Sequence, residues 1–198
     1  MTIASRTFNL ADLFEGAAEV LPDQDAVIAG GANVPTRRRT YAELDARANQ
    51  VASVLRELGI GPGDHVAVHA MNCLEFMEIT MGVFKLRAVP VNGNFRYTTE
   101  ELAYVFDDAE VKAVFTQVGI RDEAIAAAGT RPVITIGDDY DRRIDSASRG
   151  GGVNKQESTA STASKPGKII RPSTVYQGNS ILHKAKEHPV LAFPLLDK

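Results

Sequence analysis

Apolar side chains along the chain recur with two periods, and each change of period marks a change of element. Asn9 has the chemistry of an N-cap, and Leu10, Leu13, Phe14, Ala17 and Leu21 follow it at helical spacing. Pro22 closes that helix. Ala26–Ala29 then reads as a strand, and Gly30, Gly31 and Pro35 mark a turn before Arg37–Thr40. Thr40 and Glu43 have capping-box spacing, in which each side chain satisfies an orphan backbone donor. Leu44, Ala48, Val51, Leu55 and Leu58 define one face of the next helix in steps of four and three. Gly59, Gly61 and Gly63, set around Pro62, end it with a tight turn.

The unit then repeats. His65–Ala70 is a β-rich run, and Asn72 with Glu75 has the spacing of a cap for a helix expected to bury Phe76, Met77, Thr80, Val83 and Phe84. Ala88–Asn92 reads as a strand, and Thr98 with Glu101 opens a helix carrying Leu102, Val105 and Phe106. Val111–Phe115, Asp122–Ala128 and Pro132–Ile136 follow as strand, short helix and final strand. Strands alternating with helices of this length need crossover connections. The predicted class is therefore α/β, a mainly parallel sheet with helices on both faces.

Charge divides the chain where this patterning fades. Of 22 Lys/Arg and 25 Asp/Glu, net −3, residues 1–146 hold 14 basic and 22 acidic, whereas residues 147–198 hold 8 basic and 3 acidic. A segment of net −8 thus precedes one of net +5, and unlike charge implies parts of unlike character. Arg149–Gly152 and the Ser/Thr/Ala/Lys run from Lys155 to Lys168 predict that 147–198 is a low-complexity, basic, irregular or disordered tail. The single Cys73 excludes an internal disulfide framework and a zinc site built on cysteine pairs. No apolar run reaches the roughly 20 residues a membrane span requires, and the N-terminus lacks the apolar core of a signal peptide. The expectation is a cytoplasmic chain without a membrane span.

Particular runs are recognisable. Thr40–Asn49 resembles the first long helix of the AMP-forming acyl-CoA synthetases, the adenylate-forming ligases. Leu58–Val68 is similar to the turn and strand that follow it. Lys85–Asn94 with Phe95-Arg96-Tyr97 and Thr99–Leu102 resembles a third landmark, a Pro-Val-Asn strand leading into an Asn-x-Arg-Tyr turn. That turn and Tyr104–Asp108 resemble the fatty-acyl and medium-chain branch. The likeness runs from about Phe8 to about Asp145, and identifies residues 1–146 as the N-terminal part of such a synthetase domain. Two positions depart from it: Arg87 stands where a small residue, commonly glycine, is expected, and Gly93 replaces a bulkier one.

The resemblance implies a two-step reaction, in which a carboxylate attacks the α-phosphorus of ATP and the thiol of coenzyme A then displaces AMP. ATP, Mg and CoA are implied for an intact family enzyme. Its phosphate loop, magnesium carboxylate and lid lysine lie beyond the region of likeness, so the 198 residues alone are expected to bind no cofactor and to be inactive. The run Thr159–Lys168 falls near where the phosphate loop is due, but Ser161 and Ser164 replace its internal glycines and Gly167-Lys168 inverts its Lys-Gly. Side chains there restrict the positive φ and close backbone approach that phosphate cradling uses, so phosphate binding is not expected. The end of the likeness near Ser146–Arg149 is read as a change of reading frame, exon or gene junction.

Asn92, Asn94 and Arg96 are the expected substrate-binding residues, because they lie where a strand's carboxyl end meets a helix. Alternatives to a truncated ligase are a non-catalytic interaction module, self-associating through an exposed apolar surface, and one subunit of a split synthetase that pairs with a complementary fragment. Nucleic acid is not an expected partner, since the basic tail lacks interleaved aromatics. His65, His69 and Cys73, spaced by four, are expected to pack rather than bind metal. Gly59-x-Gly61-x-Gly63 follows a helix and precedes a strand, the reverse of a dinucleotide fingerprint. Arg37–Arg39 reads as solvated charge on an edge hairpin.

Overall fold

The computed structural model describes residues 9–31, 34–150 and 191–192. Helix α1, Leu10–Val20, starts at Asn9, whose side chain accepts from the Ala11 amide at 2.8 Å. An antiparallel hairpin follows, β1 Asp25–Gly31 and β2 Val34–Thr40, with Val27 opposite Arg39 and Ala29 opposite Arg37. The long helix α2, Tyr41–Glu57, is closed at its start by the expected box: Thr40 accepts from the Glu43 amide at 3.2 Å, and Glu43 accepts from the Thr40 amide at 2.9 Å.

Strand β3 (His65–His69), helix α3 (Leu74–Lys85), strand β4 (Val89–Gly93), helix α4 (Thr99–Asp108) and strand β5 (Val111–Gln117) come next. Helix α5 (Arg121–Ala128), strand β6 (Val133–Ile136) and helix α6 (Asp138–Gly150) complete the body. The four strands pair in parallel in the order β4-β3-β5-β6. Helices α2, α3 and α6 cover one face, burying Val51, Leu55, Ile79, Val83, Tyr140 and Ile144 against Val66, Val68 and Phe115. Helices α4 and α5 cover the other, where Leu102, Phe106, Ala124 and Ala128 meet Ala67 and Val114. The predicted α/β class, with helices on both faces of a parallel sheet, is what forms.

Helices α2 and α3 approach closely at Gly82. A Cβ there would lie 2.6 Å from Val51 Cβ and 2.9 Å from the Ala48 carbonyl oxygen, so glycine is required by backbone proximity.

Three local expectations need correction. Helix α3 is capped at Cys73, without a side-chain hydrogen bond, and not at Asn72. It buries Leu74, Glu75, Glu78, Ile79, Gly82 and Val83, so of the expected face only Val83 is fully inside. The cause is electrostatic. Glu78, with 0% of its side chain exposed, accepts from Arg39 Nε at 3.0 Å, Arg47 Nε at 3.1 Å and the Tyr140 hydroxyl at 2.8 Å. Glu75 receives Arg37 Nη2 at 2.6 Å. Carboxylates paired in this way can lie inside a protein, and a hydropathy pattern assigns them to solvent. Arg37 and Arg39 are accordingly ion-paired across to α3, and Arg38 reaches Asp25 Oδ2 at 2.5 Å, so this basic run is not simply solvated charge.

Helix α6 is a further addition to the expected elements. Tyr140, Ile144 and Ala147 are buried in the main core at steps of four and three, and the helix runs through residue 146, where the composition changes. A second small sheet has the order β2-β1-β7, in which β7, Leu191–Ala192, lies parallel to β1 with Leu191 opposite Val27. Other residues of the predicted tail lie outside the described residues, apart from the last turn of α6.

Candidate functional site

The strand order sets where a ligand site belongs. From β3 the chain crosses to β4 on one side, and then returns past β3 to β5 on the other. The connections therefore diverge between β3 and β5, and in open parallel sheets ligands bind outside the carboxyl ends of the strands at such a point. His69 closes β3 there, and its register partner on β5 is Thr116.

Both side chains are enclosed, His69 at 1% and Thr116 at 0% exposure. Neither imidazole nitrogen nor the Thr116 hydroxyl has a hydrogen-bond partner among the described residues. Burial lowers the His69 pKa below its ordinary value and keeps the ring neutral, against the opposing pull of the Gly93, Ile120 and Asn94 backbone and the Glu123 carboxylate. These groups favour the imidazolium by proximity, but none meets hydrogen-bond geometry. A Cβ on Gly93, the strand β4 partner of His69, would touch His69 Cβ and Leu102 Cδ2 at 3.4 Å. The unusual glycine thus borders the unusual histidine.

The expected substrate-binding residues lie at the same end of the sheet. Asn92 is the penultimate residue of β4, and Asn94 and Arg96 are in the connection to α4; all three are exposed. The Tyr97 amide donates to the Asn94 carbonyl at 2.9 Å, and the Asn94 side-chain oxygen accepts from the Arg96 amide at 3.0 Å. Asn94 therefore fixes the turn, a common use of this side chain. The Arg96 guanidinium lies over the Phe95 ring, 5.0 Å from its centroid. Thr98 and Glu101 then cap α4 reciprocally, as their spacing predicts. His69 and Thr116 were not among the substrate-binding residues that the sequence suggested. Only topology gathers them with the β4–α4 turn, although a histidine ending a β-branched strand was the available signal.

Other marked residues resolve into structural roles. His65 and His69 are the two ends of β3, about 13 Å apart at the usual strand rise. His65 Nδ1 meets the Ala109 carbonyl, and Cys73 sits at the start of α3. Among the described residues no group of three His, Cys, Asp or Glu is placed to hold a metal ion. Gly59 and Gly63, at φ +80° and +83°, form the turn after α2, where Asp64 Oδ2 accepts from the Gly61 amide at 2.8 Å. The Thr159–Lys168 run lies outside the described residues. No described helix is long and apolar enough to cross a membrane.

An apolar pocket of about 60 Å³ opens between β1 (Val27–Gly30) and the start of α3 (Asn72, Cys73, Phe76, Met77). Burial pushes the Cys73 thiol up to about 12, which makes it a poor nucleophile at neutral pH.

Known proteins share this framework. Over 126 residues the chain is 36% identical to a 3-oxocholest-4-en-26-oate–CoA ligase of Rhodococcus rhodochrous, an alignment covering 64% of this chain and 22% of that enzyme. Over 106 residues it is 38% identical to a medium/long-chain-fatty-acid–CoA/3-oxocholest-4-en-26-oate–CoA ligase of Mycobacterium tuberculosis, covering 54% of this chain and 18% of that one. The fold superposes on a Mycobacterium tuberculosis fatty acyl CoA synthetase with a TM-score of 0.61 and 30% identity, over 70% of this chain and 28% of the other. The chain spans about a fifth of the length of the curated relatives it matches. Residues 14–178 match the AMP-binding enzyme family, and with the sheet order and the three sequence landmarks in place, the chain belongs to that family.

Proposed function

We propose that residues 1–146 form the N-terminal subdomain of an acyl-CoA synthetase, which takes a carboxylic acid, ATP and CoA to acyl-CoA, AMP and pyrophosphate. The 36% identity to a steroid-acid CoA ligase across 126 residues carries this reading. The relatives' names, which cite medium- and long-chain fatty acids and a cholestenoate, support a largely apolar carboxylic acid as the substrate. In this reading Asn92, Asn94 and Arg96 line the substrate side of the subdomain, supported by their exposure at the carboxyl end of the parallel sheet. Residues 147–198 are a basic tail, a division that rests on the charge inversion, with the first of them, through Gly150, completing α6.

The 198 residues do not turn over alone. A phosphate loop, a metal carboxylate and a lid cation must converge for adenylation, and a likeness that covers about a fifth of the ligases it matches supports this reading. The second reading is a binding module or split-enzyme subunit. It is favoured by α1, which leaves Leu13 58% and Val20 75% exposed, an apolar stripe suited to a partner chain or a second copy.

Pyrophosphate exchange with ATP and a fatty acid tests both. Purified 1–198 is expected to show none, and turnover by it alone overturns the inactive reading. Exchange that appears only on adding a chain bearing the phosphate loop supports the split enzyme.

A further inference from the structure

The β1–β2 hairpin is separate from the four-stranded sheet. Two strands alone are marginal, and the edge of β1 away from β2 would leave a row of backbone donors and acceptors free to recruit other chains. In this structure that edge is met by Leu191–Ala192, parallel to Val27–Ile28. The sequence there stands apart from its surroundings. Val190, Leu191, Ala192, Phe193, Leu195 and Leu196 form an apolar patch in a polar, basic tail, bracketed by Pro189 and interrupted by Pro194. Proline cannot donate to a ladder, so these two residues confine pairing to the stretch between them.

Three further observations bear on the occupant. The same β1 residues, Val27 and Ile28, line the apolar pocket completed by Cys73, Phe76 and Met77, so the edge adjoins apolar surface. Residues 147–198 carry net +5 against −8 for the body, which draws the tail inward. The connection through residues 151–190 can span on the order of 130 Å when extended, so reach does not limit the return.

We propose that the tail is an intramolecular strand ligand: Leu191–Ala192 docks on the open edge of β1, covers the adjoining apolar pocket and shields the edge from other chains. This does not rest on ligase activity and holds equally for an inactive chain.

The test uses the full chain with Leu191→Pro and Ala192→Pro made separately. Alternate amides of an extended strand point to opposite sides, so at least one proline removes a ladder donor facing β1. Hydrogen exchange of the β1 amides that point away from β2 is expected to accelerate about tenfold or more in that variant, while β3 and β5 amides keep wild-type rates. Alkylation of Cys73, the chain's single cysteine, is expected to accelerate with it. A synthetic Pro189–Lys198 peptide added to the variant is expected to restore both. Unchanged β1 exchange in both variants overturns the docking. Accelerated exchange with unchanged Cys73 alkylation overturns coverage of the pocket. Wild-type β1 protection that rises with protein concentration shows a second copy on the edge and overturns the intramolecular reading.

Discussion

Glu78→Gln is the most informative single change to the fold. The substitution keeps size and shape but removes the charge at which Arg39 from β2, Arg47 from α2 and Tyr140 from α6 converge on α3. Arg47 keeps Asp141 Oδ1 and Asp145 Oδ1, each at 3.0 Å, but those carboxylates are more than half exposed. The amide would face two guanidinium groups with only one acceptor oxygen. Removing one partner of a buried pair leaves an uncompensated charge at a cost of about 3–5 kcal/mol, a large fraction of the roughly 5–15 kcal/mol that holds a domain folded. At a urea m-value near 2 kcal/mol/M, the unfolding midpoint falls by about 2 M. Tyr140→Phe removes one hydrogen bond to the carboxylate and leaves both arginines paired, so its cost is about 1.5–3 kcal/mol. The loss in Glu78→Gln is expected to be nearly independent of salt, because solvent does not reach the carboxylate. If Glu78→Gln lies within about 1 kcal/mol of wild type, the cluster behaves as a surface ion pair and this account of α3 is wrong.

Arg87 has φ +59°, a left-handed conformation that costs a residue with a Cβ about 1–2 kcal/mol. Arg87→Gly and Arg87→Ala both lose the 2.6 Å contact with Asp12, so Gly should be the more stable by about 1 kcal/mol in urea titration; Ala equal or better refutes the strain. For His69, the folded pKa lies below the ordinary 6.5. The unfolded chain therefore binds the proton more readily, and stability is full above about 6.5 and declines as pH falls below it. Urea midpoints between pH 7.5 and 5.5 should show this decline, and His69→Leu should flatten it; an equal slope in both assigns the dependence elsewhere.

What was legible in the sequence is local. The Thr40/Glu43 and Thr98/Glu101 boxes form as their spacing predicts, because a cap links groups three residues apart and needs no tertiary partner. The α2 stripe of Leu44, Ala48, Val51 and Leu55 is buried because one helical period sets it. The expectation of a small residue at Arg87 finds its reason in that residue's positive φ. The β4–α4 turn was likewise readable, since Asn94 ties it within two residues.

Tertiary structure decided the rest. The sequence offers Glu75 only as a cap partner of Asn72 and does not mark Glu78 at all; both are buried because Arg37, Arg39 and Arg47 are brought to them from β2 and α2, more than 30 positions away. Helix α6 hides its core stripe of Tyr140, Ile144 and Ala147 among aspartates and arginines, and only packing against α2 and the sheet gives that stripe meaning. His69 and Thr116 are 47 residues apart and become one buried polar corner only through the β3–β5 register. The physical reason is the range of the forces. Capping and periodicity act between near neighbours in the chain, whereas the burial of a charge or a histidine depends on partners that folding alone brings together.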